Sequence, residues 1–343
     1  MTAKQAVINK SDIQEKRSKT FLDFIARERW IIPLSLIVLY VISYSIMYPD
    51  VFLSGYNLSS LLLEFSLPAI IVVGMALQLI NGEIDLSVGY NVMFANLLAG
   101  SLAVLGVPIP FVILATLVAS GLIGWIIGLL VARVGVNSFI ATLGSGLVFY
   151  GLAQVIFAGI FGITGTGGDI QHLPEAFTAI SKTELAGIQL PVYYAVVILV
   201  TFALLMAKSR YFRKYYYIGM NKEAAKLSGI NVQSMKAMAF VFSAVLASFA
   251  GVLLAARMGA SGTQYGKGWE LKVITGAVIG GVSFKGGIGS MGGAVLGMLF
   301  TTCLSNALRI SEAPSNLYKI IEGLILLVAV IIDALFSKRK VVG

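Results

Sequence analysis

Asn81-Gly82-Glu83-Ile84-Asp85-Leu86-Ser87-Val88-Gly89 places two carboxylates and two glycines at the seam between two long apolar runs, residues 58–80 and 86–105. Glycine inside a helix costs about 1 kcal/mol relative to alanine. Acids near a membrane interior are rare and need a partner. The stretch therefore reads as a break between two membrane-crossing segments.

Composition agrees. The chain has 343 residues, 58% hydrophobic and 12% charged, with a mean hydropathy of +0.90. Soluble domains carry roughly 25% charged residues. The sequence is that of an all-α polytopic membrane protein. Its net charge of +9 would point to nucleic acid in a soluble protein. In a membrane protein basic residues gather in cytoplasmic loops, so no nucleic-acid partner is expected. The single Cys303 lies in an apolar run and leaves no intrachain disulfide. Residues 1–29 are polar and of mixed charge, unlike a signal or transit peptide, and are expected to be a cytoplasmic tail.

A spanning helix needs about 20 apolar residues. About ten transmembrane helices are predicted, at 30–48, 58–80, 86–105, 109–132, 138–160, 191–207, 237–256, 271–282, 289–308 and 317–336. The eighth is short and glycine-laden, so tilted, broken and loop-merged forms all stay open. With the N-terminus inside, nineteen of the 25 lysines and arginines fall on the cytoplasmic side, which predicts that both termini are cytoplasmic. Eight or twelve spans also fit this parity. The expected divisions are a tail at 1–29, a membrane domain at 30–336 and a tail at 337–343.

Two connections exceed a turn. Residues 161–190 form an outer loop, expected to be a lid or a docking surface, and its lone His172 is expected to be solvated. Residues 208–236 form a basic cytoplasmic loop. Within it Asn221 is placed as an N-cap, Glu223 in a first turn and Gly229 as a stop. Residues 222–228 then make about two helical turns. Ala224 and Ala225 leave room for close packing. Partner docking and a topology-setting contact with lipid headgroups are both compatible with this pattern.

Glycines four apart, such as Gly124 with Gly128, Gly276 with Gly280, and Gly289 with Gly293 and Gly297, suit close helix packing in lipid. The run from Gly280 to Gly293 is too glycine-rich for a good helix and is expected to turn. It is not a phosphate loop, because Gly287 stands where the pattern needs Lys. No ATP site is expected in this chain. Asp85 has two readings, as a cap on a helix beginning at Leu86 and as a lining of a polar path with Glu83. Glu64, one turn before Pro68, is placed near the outer surface. Asn91, Asn96, Thr142, Tyr150, Gln154 and Asn306 recur along later spans. Such groups suit an uncharged polyhydroxy solute, and equally suit interhelical hydrogen bonds.

Four stretches together resemble one family: Gly82–Gly89, Asn137–Gly144, Gly219–Ile230 and Gly280–Gly293. They look like the permease subunit of the ribose/xylose/arabinose/galactoside class of bacterial ABC importers. The resemblance covers residues 57–333. It implies a multi-pass protein of the bacterial cytoplasmic (inner) membrane. It also implies a pair of permease subunits, identical or paralogous, and ATPase subunits that hold ATP and Mg. A periplasmic or lipid-anchored binding protein would deliver a monosaccharide. On this resemblance Asn221, Lys222, Glu223, Ala224, Ala225 and Gly229 would form the coupling helix on the ATPase. Apart from the resemblance, the topology puts both glycine breaks toward the cytoplasmic side, where Gly82, Gly89, Gly286, Gly287 and Gly289 are expected to shape an inner gate or to serve packing. Glu83 departs from the family, whose members usually have a second glycine there. A cation-coupled secondary transporter using Glu83 and Asp85, and a membrane scaffold, are the competing classes.

Overall fold

The computed structural model describes residues 28–161 and 169–339. Ten apolar helices form the body. They are α1 (Ile31–Met47), α3 (Gly55–Ile80), α4 (Val88–Val104), α5 (Ile109–Leu129), α6 (Ser138–Phe161) and α8 (Leu190–Lys208). The remaining four are α11 (Val232–Met258), α12 (Trp269–Ile279), α13 (Met291–Ile310) and α14 (Ser315–Arg339). Each predicted span overlaps one of them. Among the described residues six, α3, α5, α6, α8, α11 and α13, are long and apolar enough to cross a membrane, and α1 and α4 are shorter apolar helices. The chain is thus an all-α polytopic membrane protein. Among the described residues a π-helical turn (Leu130–Val134) extends α5, and four short helices complete the set: α2 (Pro49–Phe52), α7 (Glu175–Lys182), α9 (Arg210–Met220) and α10 (Lys222–Leu227).

The centre is the pair α3 and α11, whose apolar windows are 67% and 72% buried against 17% for α8. Small residues let the backbones touch. A Cβ on Gly74 of α3 would lie 2.8 Å from Ser243 Cα of α11, and one on Gly128 of α5 would lie 2.7 Å from Ala237 Cα. Gly276 of α12 approaches Met298 of α13 in the same way, at 3.0 Å. The expected packing role of Gly124, Gly128, Gly276 and Gly297 holds. Gly289 is different. It precedes α13, with φ +137°, and belongs to the turn.

Three boundaries differ from expectation for physical reasons. The eighth span is α12, 11 residues long, or about 16 Å at 1.5 Å per residue. Gly268 and Gly280 flank it, and its length is about half of the roughly 30 Å that a spanning helix covers. The seventh begins at Val232, capped by Asn231. The polar first turn, with Lys236, is carried by the helix rather than by the loop. The third begins at Val88, not Leu86, and its cap position is Ser87.

The basic connection contains a helix that the sequence reading left out. In α9, Phe212, Tyr215 and Ile218 recur every three residues and are buried, while Arg210 and Arg213 are exposed. This places α9 flat across one end of the bundle, here called the basic end. The described part of the 161–190 connection lies at the opposite end. Residues 162–168 lie outside the described residues. Beyond them β1 (Ile170–Gln171) pairs antiparallel with β4 (Ala260–Ser261), and β2 (Glu184–Leu185) pairs with β3 (Ile188–Gln189). Phe177 of α7 is buried between these elements and α11. His172 is exposed at φ +58°.

Candidate functional site

The 81–87 break climbs along α11. Glu83 pairs with Lys236 of α11. Asp85 accepts a 2.7 Å hydrogen bond from Ser243, seven residues further on. Positions seven apart lie on one helix face, about 10 Å apart. The two acids therefore point the same way, as an extended i, i+2 pair does, and both point at α11.

An extended segment at this depth must find partners for its N–H groups. Helix α6 supplies them. The Ser138 hydroxyl accepts from Ile84 N at 3.3 Å, and Thr142 Oγ1 accepts from Leu86 N at 3.1 Å. Thr142 in turn donates to Ser138 O at 2.7 Å. Asp85 closes a local turn by accepting from Ser87 N at 2.9 Å and Ser87 Oγ at 2.5 Å. Of the two readings of Asp85, the capping one is modified: its carboxylate makes a cap-like bond to Ser87 N in the turn before α4, which itself begins at Val88, and it also reaches α11.

The second glycine run meets the first. Gly287 donates its N–H to Ile80 O at 2.8 Å. A Cβ on Gly286 would lie 2.9 Å from both Gly82 Cα and Gly219 O. Gly82 and Gly286 both hold φ near +80°, +81° and +82°, a conformation that glycine adopts without strain. Gly219, near the end of α9, fits between them. A Cβ there would overlap Ile80 O and Gly287 N. Tyr216, one turn earlier on the same helix, donates its hydroxyl to Gly289 O at 3.1 Å. Burial pushes its phenol pKa up, which favours the protonated, donating form.

The last helix holds the far side of this junction. Buried Asp333 of α14 accepts from Ser283 Oγ at 3.0 Å and Phe284 N at 3.1 Å, and pairs with Arg29 at 2.8 Å. Residues from both ends of the chain therefore clamp the 280–290 turn.

A cavity of about 680 Å³ opens beside the junction, lined by Gly82, Glu83, Ser138, Lys222, Glu223 and Lys236 among others. It brings the first break and the start of α10 to one place. Helix α10 forms as expected. Asn221 Oδ1 accepts from Ala224 N at 3.0 Å, and Gly229 follows at φ +78°. Ala225 is buried against the bundle, while Lys222, Glu223, Ala224 and Lys226 are exposed. Leu227 is 90% exposed, an apolar side chain pointing away from the bundle.

Other expected residues lie elsewhere. Gly89 is not at the junction. It sits within the bundle, where a Cβ would overlap Glu270 and come within 2.9 Å of Gly266 O. Asn91 and Asn96 lie further along α4, both buried, and Asn96 Oδ1 accepts from Gly262 N at 3.0 Å. Gln154 is half-buried on α6. Asn306 is engaged at both ends of its amide, donating to Asn57 at 2.8 Å and accepting from Tyr40 at 2.6 Å. Glu64 pairs with Arg309 near the opposite end. The sequence reading missed Ser243 and Asp333, and gave no role of their own to Ser138 and Gly219, which lie in two of the stretches that carry the resemblance. For Asp333 a signal existed, since it is an acid inside the last apolar run.

Comparison with known proteins places this architecture. The family described as branched-chain amino acid transport system / permease component matches residues 57–330. The chain is 33% identical over 319 residues to the galactose/methyl galactoside import permease MglC of Escherichia coli K12, covering 89% of this chain and 94% of that protein. It is 34% identical over 289 residues to the L-arabinose ABC transporter permease AraH of Azospirillum brasilense, covering 84% and 83%. The ribose import permease RbsC of Haemophilus influenzae is 31% identical over 317 residues, covering 92% and 96%. No solved structure gives a significant match. Matched to that family model over most of its length, and to these permeases over 84–92% of its residues, the chain belongs to their family of ABC importer permease components.

Proposed function

We propose that this chain is the membrane-spanning subunit of an ABC importer that moves a monosaccharide or closely related solute into the bacterial cytoplasm. The observation that carries the mechanism is the meeting of both glycine breaks with Gly219 of α9, next to the exposed α10. On this reading the basic end faces the cytoplasm. Ten segments cross or enter the bilayer, both termini are inside, and residues 30–336 form the transport domain. Helix α10 docks on an ATPase subunit, which holds ATP and Mg. A second permease copy or paralogue completes the path, and a binding protein meets the α7 end.

Rigid coupling supports the mechanism. Helix α10 follows α9 after one residue, and α9 inserts Gly219 between Ile80, Gly82 and Gly286. A displacement of α10 by the ATPase would move both breaks together. Interfaces packed this tightly shift between discrete arrangements and do not deform smoothly. Glu83 and Asp85 support no cation-coupled path, since each is engaged with α11.

The test is uptake in proteoliposomes. The permease reconstituted with its ATPase and binding protein should accumulate radiolabelled sugar only with ATP inside the coupled compartment. Uptake driven by a proton or sodium gradient, with the permease alone, would sink this reading.

A further inference from the structure

A second cavity lies away from the glycine junction, towards the α7 end, among α3, α12, α13 and α14. Its volume is about 260 Å³, the share of roughly nine waters at about 30 Å³ each. That is below the range of about 300–1,000 Å³ of drug-sized pockets, so it suits a small solute. Thr301, Ser305 and Leu308 of α13 line it, as do Tyr318, Glu322 and Ile325 of α14. Both sets have i, i+4, i+7 spacing, so each is one face of its helix. Lys272 and Thr275 of α12 close the third side.

The chemistry of the lining is specific. Thr301 donates to Met298 O at 2.8 Å, Ser305 to Thr301 O at 3.1 Å and Thr275 to Leu271 O at 2.7 Å. Each hydroxyl spends its proton inside its own helix and keeps lone pairs to accept from a ligand. Lys272 adds donors and Glu322 adds an acceptor. Lys272 and Glu322 both line the cavity, and no ion pair closes between them among the described residues. Glu64, at the rim, is paired with Arg309. The lining therefore has balanced charge, many acceptors, a cationic donor and one aromatic ring.

Glu322 sits about 10 Å along α14 at 1.5 Å per residue. Around it Leu317, Ile320, Leu324 and Leu327 are exposed apolar surface. A carboxylate in such a helix is costly unless it faces a polar site. We infer that this cavity is a solute site of the importer, in which Lys272 and Glu322 hydrogen-bond the hydroxyls of an uncharged monosaccharide and Tyr318 covers its apolar face. This rests on the sugar-import reading. Helix packing does not require it, because packing would be served by apolar residues at the same positions.

The test uses the complete reconstituted importer with radiolabelled galactose, arabinose, ribose and xylose as probes. Sugar moved per ATP hydrolysed is measured for wild type, Glu322→Gln and Ser305→Trp, at equal amounts of assembled complex. The expected result is a drop of at least tenfold in that ratio for both variants. Glu322→Gln keeps the shape of the side chain, so it guards against misfolding of the bulkier variant. A wild-type ratio in both variants, or hydrolysis and uptake falling in step, overturns the assignment. A wild-type complex that imports none of the four sugars overturns the sugar reading itself, and the cavity assignment with it.

Discussion

Asp85 and Ser243 are joined by a 2.7 Å hydrogen bond that anchors the first glycine break to the central helix α11. Asp85 is 1% exposed and also holds Ser87 through two bonds. An intramolecular hydrogen bond contributes about 0.5–1.5 kcal/mol net, and Asp85 accepts three. Asp85→Ala removes the acceptor and leaves two buried hydroxyls without it. The expected outcome is a loss of about 2–4 kcal/mol, read as a lowered midpoint of thermal denaturation in detergent, with impaired uptake. Unchanged uptake and midpoint would make the Asp85 contacts dispensable.

Glu83 and Lys236 behave as a unit. Both side chains are about nine-tenths buried, at 11% and 12% exposure. Removing one partner of a buried pair costs about 3–5 kcal/mol, because the other charge is stranded. Glu83→Ala and Lys236→Ala should each destabilise the purified permease by that order. The double variant should recover much of the loss, so a double-mutant cycle should return a coupling of about 0.5–3 kcal/mol. Additive losses would mean that the two charges act independently.

Much of this was readable from the chain because a membrane protein writes its spans in long apolar runs. The ten segments, the break at Gly82 and the capped α10 each follow from local composition. The meeting of Gly82 with Gly286 and Gly219 does not, because it joins positions over a hundred residues apart through backbone contact. Helix α9 was missed because its apolar face, Phe212, Tyr215 and Ile218, is set among basic residues and tyrosines that pull the mean hydropathy of the segment down. The Asp85 contacts were hidden for a related reason. Ser243 is one of many serines in apolar helices, and only its place seven residues after Lys236 marks it. Asn306 shows the opposite case, where a polar residue in a span is fully used by Asn57 and Tyr40.

Gly219 tests the backbone junction directly. Its φ does not demand glycine, so the only obstacle to a side chain is contact. Gly219→Ala would push a methyl into Ile80 O and Gly287 N, groups fixed by the hydrogen bond between Gly287 and Ile80. Overpacking a tight contact costs about 1–3 kcal/mol. The expected outcome is a permease that still reaches the membrane and transports at least tenfold more slowly. Wild-type uptake by Gly219→Ala would show that the junction tolerates separation and does not gate the path.

Helix α10 gives the separation of docking from folding. Ala224 and Leu227 are exposed, so substitutions there disturb few contacts within the chain, whereas Ala225 is buried. Ala224→Trp and Leu227→Asp should leave the permease folded, with its thermal midpoint unmoved. They change the surface offered to the ATPase, one by bulk and one by charge. Gly229→Leu acts through the backbone. At φ +78° an L-residue costs about 1–2 kcal/mol, which loosens the stop of α10 and its angle to α11. In reconstituted complexes all three variants should hydrolyse ATP while sugar uptake falls at least tenfold. Hydrolysis and uptake should therefore come apart, whereas a pathway defect at Gly219 leaves the ATPase attached. If Ala224→Trp and Leu227→Asp transport as wild type does, α10 is not the docking element, and the contact with the ATPase must lie on the exposed basic face of α9 instead.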